Sequence, residues 1–100
     1  MTTTSNIQIR AIMAGLGREF QTLVNVKQIL VIEDGIEINF TKGLQGINKV
    51  IINLNNRDTY DMHFWRITSK TCKQITAAGD IQVSQLGGVF ENITGFTTHF

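Results

Sequence analysis

"KQILVIEDGIEINFTKG" (Lys27–Gly43) decides how this chain folds. An apolar run, Ile29 to Ile32, reaches an Asp34-Gly35 pair, after which Ile36, Ile38 and Phe40 alternate with Glu37, Asn39 and Thr41. Successive side chains of a strand point to opposite sides, so strict alternation means one buried face and one polar face. An Asp-Gly pair between two such runs suits the positive φ angles of a tight turn. The stretch therefore reads as an antiparallel hairpin with Ile36, Ile38 and Phe40 facing the core.

Toward the C-terminus the same period continues. Gly43 and Gly46 mark a loop, and "INKVIINLN" follows with Val50, Ile52 and Leu54 on one face and Ile51 adding apolar surface to the other. "NNRD" (Asn55–Asp58) is a turn by composition. In "TYDMHFWRIT", Tyr60, Met62 and Phe64 point one way, and Asp61, His63, Trp65 and Ile67 the other. "KTCKQITAA" (Lys70–Ala78) is a weaker strand whose lysines suit an edge. Gly79-Asp80 then breaks the chain, with Asp80 placed to cap a second helix. Val83, Leu86, Phe90 and Ile93 share the inner face of that helix, and Gly95 stops it. Gly87 and Gly88 weaken it and permit a strand to approach closely.

Toward the N-terminus, Ser5 or Asn6 can cap a helix running to about Ala14, with Ile9, Ile12, Met13 and Leu16 on one face. Gly15 and Gly17 end it. "REFQTLVNV" (Arg18–Val26) is β-like, with Phe20, Thr22 and Val24 on one side. The whole reads as an α+β fold: a short N-terminal helix, an antiparallel meander of about five strands, and a C-terminal helix. Both helices cover one sheet face. It makes a single domain over residues 1–100, with 1–4 a flexible leader and 96–100 a tail bearing two exposed aromatics, Phe96 and Phe100.

Composition limits the function classes. The chain is 42% hydrophobic and 17% charged, with a formal net charge of +1. So balanced a charge draws it to neither nucleic acid nor an anionic membrane. The single cysteine, Cys72, rules out an internal disulfide and fits a reducing compartment. No apolar run reaches the ~18 residues of a membrane span, and no signal peptide is evident.

"GINKVIINLNNRDTYDMHFWRI" (Gly46–Ile67) and "LGGVFENITGFTTHF" (Leu86–Phe100) carry a resemblance. The chain resembles a family of small proteins encoded by bacteriophages and prophages. That family shares a Gly-Ile-Asn start (here Gly46–Asn48), a Leu-Asn pair (Leu54-Asn55) and an Asp-Thr-Tyr-Asp segment (Asp58–Asp61). An aromatic-basic strand (Phe64–Ile67) and a Thr-Gly-aromatic-Thr tail (Thr94–Thr97) complete the pattern. Trp65 and the Gly87-Gly88 pair depart from it. The resemblance implies a viral or mobile-element origin, in the cytoplasm of a host or within a virion. It implies no activity and no catalytic residue.

Several residues could carry chemistry. Asp61 and His63 share a strand face and, with Asp58, offer oxygen and imidazole ligands for a divalent metal. A turn-serving Asp58 beside a solvated strand is the simpler expectation. Cys72 could pair with His63 or His99, and Lys70 and Lys73 could lower its pKa, but a plain strand thiol needs no further signature. "GLGREF" (Gly15–Phe20) contains Gly-x-Gly, but with the helix before it and a strand after it, the reverse of a dinucleotide loop. Neither a catalytic site nor a cofactor or metal site is expected.

Contact surfaces remain. If both helices cover one face, the other shows Ile51, Trp65 and Ile67 among polar groups, and His63 lies with them. Aromatics on an otherwise polar face are typical interface anchors, although a tryptophan can equally belong to the core. The first expectation is a protein that binds another protein or self-associates into a homo-oligomer through Ile51, His63, Trp65 and Ile67. The second is a nucleic-acid-binding accessory protein that stacks bases on Trp65 and holds phosphates with Arg66, Lys70 and Lys73.

Overall fold

The computed structural model of the chain describes residues 6–17, 20, 24, 26–41 and 43–96, with side chains from Ile9 onward. Helix α1 (Asn6–Leu16) leads. Strands β1 (Val26–Ile32), β2 (Gly35–Phe40), β3 (Lys49–Leu54), β4 (Tyr60–Ile67) and β5 (Cys72–Ile81) follow, and helix α2 (Leu86–Thr94) closes the order. One 3-10 turn (Leu44–Gly46) precedes β3 and another (Val83–Gln85) precedes α2. The strands form one five-stranded antiparallel sheet in sequence order, β1-β2-β3-β4-β5. This is the expected α+β meander.

The hairpin forms as its sequence requires. Ile32 pairs with Gly35, Val31 with Ile36 and Ile29 with Ile38. Asp34 takes the left-handed conformation, at φ 59°. Gly35 serves a different need, because a Cβ there would run into the Ile52 carbonyl oxygen on β3. The glycine thus sets how closely β2 and β3 meet.

Alternate residues of three strands face the helices: Ile36, Ile38 and Phe40; Val50 and Ile52; Tyr60, Met62 and Phe64. Ile12 and Leu16 of α1 and Leu86 and Phe90 of α2 complete this core, so both helices lie on one face. Ile9, Met13 and Ile93 pack against it from the same helical stripes. Phe90 sits at the centre, its ring 4.9 Å from Phe20 and 5.2 Å from Phe40, both edge-on.

Several local expectations are corrected. Helix α1 runs through Gly15 to Leu16. A Cβ at Gly15 would collide with the Val83 carbonyl oxygen, so this glycine lets α1 and the second 3-10 turn touch. Of the pair expected to permit close approach, Gly88 faces open space, whereas Gly87 is buried. Phe20 and Val24 are helical and buried, not part of a strand, and their four-residue spacing suits one helical face. Thr22 and the cap at Ser5 lie outside the described residues. Strand β5 continues through Gly79 and Asp80 to Ile81, and Asp80, at φ 54°, caps no helix. The residue before α2 is Gln85, without a side-chain cap. Val83, 39% exposed on its 3-10 turn, is not on the inner face. Gly95 does end α2, its N–H bonded to the Glu91 carbonyl. Phe96, expected to be exposed, packs against Phe40 and Phe90.

Candidate functional site

The sheet face away from the helices is ordered by strand register. One row across it is Leu30, Glu37, Ile51, His63 and Ala77, and the next is Gln28, Asn39, Lys49, Trp65 and Gln74. Ile67 lies two residues beyond Trp65 on the same face, opposite Cys72. Ile51, His63, Trp65 and Ile67 are thus brought together on one surface. All four are half-buried, and none belongs to the hydrophobic core. The core reading of Trp65 is excluded by this placement. Among the described residues, no element packs over this face.

Trp65 has one further property. Its indole Nε1 is shielded from solvent and has no hydrogen-bond partner among the described residues. A buried donor left unpaired costs about 1–3 kcal/mol. The segment carrying it is held firmly. Asn48 accepts a bond from the Ile67 N–H at 2.9 Å and donates to the Ile67 carbonyl at 2.8 Å, so its amide acts as one more rung of the ladder. Asn48 N–H also donates to the Trp65 carbonyl. The polar surround is balanced, since Lys49 and Glu37 form an ion pair at 3.4 Å.

Asp58, Asp61 and His63 do not converge as metal ligands. Asp58 sits in the β3–β4 turn at φ 59°. Asp61 accepts bonds from the Asn55 amide and the Asp80 N–H, both at 3.2 Å. No group of three His, Cys, Asp or Glu side chains is gathered around one point among the described residues. Asn55 is the hub of this corner. Its Oδ1 accepts bonds from Arg57 N–H, Thr59 N–H and the Thr59 hydroxyl, and its Nδ2 also donates to Asp80. Asp80 bonds Arg57 and the Thr59 hydroxyl in turn. Asn55, Asn56, Arg57, Asp61 and Asp80 line a polar cleft of about 270 Å³ here. The hub escapes sequence reading because Asp80 lies 25 residues from Asn55 and resembles a helix cap.

Arg66, Lys70 and Lys73 cluster at the β4–β5 hairpin, with Arg66 directly opposite Lys73. The stem of Arg66 passes close to Gly46 on the helix side of the sheet. Arg66 and Lys73 therefore share the face opposite Trp65, and one surface does not combine stacking on Trp65 with all three cations. Cys72 is exposed. It pairs with Ile67 while His63 pairs with Ala77, so the thiol and this imidazole are not neighbours. His99 lies outside the described residues. No helix among the described residues is long and apolar enough to cross a membrane.

Sequence reading misses the exposure of Leu44, at 57%, and, on β1, of Leu30 and Val31, at 41% and 50%. The β1 run, "ILVI", shows no alternation to tell inside from outside. Comparison with protein-family models, with characterised proteins and with solved structures finds no match to this chain.

Proposed function

We propose that this protein works by binding rather than by catalysis, through the sheet face that carries Ile51, His63, Trp65 and Ile67. The observation that carries this reading is the one-sided cover of the sheet. Both helices pack on one face, and the other holds three large apolar side chains outside the core. The first occupant is a second copy of the chain. A twofold pairing would cover the same patch twice, and a net charge of +1 offers little long-range repulsion. With the resemblance at Gly46–Ile67 and Thr94–Thr97, the role is that of a small phage-type protein, a virion or assembly component or a modulator of a host protein.

The test is sedimentation of wild type and Trp65→Ala in the micromolar range. Wild type should associate, and Trp65→Ala should weaken association by at least ~2 kcal/mol, the scale of an interface hot spot. A monomeric wild type that still captures a partner protein in a Trp65-dependent way would move the reading from self-association to docking. A monomer indifferent to Trp65 would end it.

A second reading draws on the clustering of Arg66, Lys70 and Lys73 at one hairpin. Phosphate binding there would be steeply salt-dependent. Retention on a nucleic-acid column that disappears in Lys70→Ala/Lys73→Ala, and persists in Trp65→Ala, would favour it.

A further inference from the structure

The two edges of the sheet are built differently. Strand β5 is guarded. It carries Lys73, its pairing with β4 shifts register twice, and Asp80 bends it at φ 54°. Such devices discourage a second chain from adding to an edge. Strand β1 has one register shift, at Val26/Gln28, and then runs regularly from Gln28 to Ile32. That run contains no charge, proline or glycine, and holds two of the most exposed large apolar side chains, Leu30 and Val31. Among the described residues, no strand pairs with the outer side of β1.

Charges bracket the run. Lys27 stands just before it and Glu33 just after, both exposed. Neither makes an ion pair with any described residue. We infer that the outer edge of β1 pairs antiparallel with β1 of a second copy, about a twofold axis at Leu30. In that register Leu30 meets the partner's Leu30, Ile29 meets the partner's Val31, and Gln28 meets the partner's Ile32. Lys27 then falls opposite the partner's Glu33, at both ends of the strand. Lys27 is the extra residue of the register shift, and its long side chain spans the irregularity there. Lys27 and Glu33 stand equally far from Leu30, so twofold symmetry lets a second copy satisfy both charges at once. Pairing also supplies backbone partners to the outward N–H and C=O groups of β1. The two sheets become continuous, and both Trp65-bearing faces lie on the same side of the joined sheet. The edge contact does not involve Trp65, so it stands or falls independently of the face reading.

The experiment is sedimentation velocity across a micromolar concentration series, with circular dichroism and thermal unfolding as folding controls. Lys27→Glu and Glu33→Lys should each weaken the dimer about tenfold, because each turns two attractive cross-strand pairs into two repulsive ones. The double variant Lys27→Glu/Glu33→Lys should recover wild-type affinity. Leu30→Lys, which sets two ammonium groups together on the axis, should abolish the dimer while leaving the folded monomer intact. In a Trp65→Ala background, which removes any contact through the sheet face, Leu30→Lys should still abolish the dimer that remains. A monomeric wild type overturns the inference, as does a dimer indifferent to both charge reversals and to Leu30→Lys. A double variant as weak as the single ones overturns the register. Loss of the dimer in Trp65→Ala alone assigns the contact to the sheet face instead.

Discussion

Phe90 touches every layer of the core. Its ring lies 4.9 Å from Phe20, 5.2 Å from Phe40 and 6.2 Å from Phe64, and none of it is exposed. Truncation leaves a cavity that aromatic neighbours on several elements cannot close together, so Phe90→Ala should cost about 3–5 kcal/mol in denaturant unfolding. Gly88, two residues earlier on the same helix, is the contrast. A Cβ there meets nothing within 4 Å, and Gly88→Ala should stabilise by about 1 kcal/mol through helix propensity. A loss at Gly88, or a loss under 1 kcal/mol at Phe90, would contradict the packing described. Tyr60 makes a pH-dependent prediction. Burial raises its phenol above the ordinary 10.0, so the folded state holds the proton more tightly than the unfolded chain does. That contribution is complete below pH 10 and is lost as pH rises through the folded-state value. Phenolate absorbance should therefore rise later in the folded protein than in a denatured control. Phe90 was legible from helical spacing alone. The freedom of Gly88 was not, because spacing does not say which side of a helix is left open.

Turns and strand ends show where sequence patterns stop being informative. The hairpin at Asp34-Gly35 and strands β2 to β4 follow from alternation, since a one-residue slip would turn every core side chain outward. The β3–β4 turn was legible as a turn, but its fastening to β5 was not. Asn55 accepts three bonds through one oxygen and donates to two aspartates, Asp61 and Asp80. Asn55→Ala strands these groups at a half-buried position and should cost about 1–3 kcal/mol. Amide exchange at Arg57 and Thr59 should quicken at the same time, and unchanged exchange there would deny Asn55 its role as the hub. Phe20 and Val24 differ from the strand reading for another reason. Phe20 and Val24 satisfy both the two-residue and the four-residue period, and only packing against Phe90 and the sheet distinguishes them. Three polar residues outside the contact face have local duties. Asn48 bonds Ile67, Asn55 ties the turn, and Thr94 Oγ1 donates to the Phe90 carbonyl at 2.7 Å while accepting from Phe96 N–H.

At the scale of the whole molecule, the sheet divides two kinds of surface. One face is saturated by helices, and the other holds Ile51, His63, Trp65 and Ile67 without cover among the described residues. That division followed from counting apolar strand faces against two short helices. Which basic residues accompany Trp65 was not settled by proximity in sequence. Arg66 is adjacent to Trp65 in the chain and yet on the far side of the sheet, as strand parity requires. The exposed edge at Leu30 and Val31 was hidden because a continuous apolar run describes a buried central strand and a bare edge equally well. Sedimentation of the edge variants and of Trp65→Ala, in one series, separates the two surfaces.

The meander has a consequence for the order of synthesis. Each strand pairs with its neighbour in the chain, so the sheet can assemble progressively as it leaves the ribosome. The aromatic that fills the middle of its apolar face, Phe90, is made after the last strand. Until α2 emerges, the part of the apolar face that Phe90 covers, around Phe40 and Phe64, lacks its cover. A chain terminated at Gln82 should bind a hydrophobic dye strongly and yield quickly to protease, whereas the full chain should do neither. The last helix thus acts as a latch, and the interval before it closes is when the nascent chain most needs a chaperone.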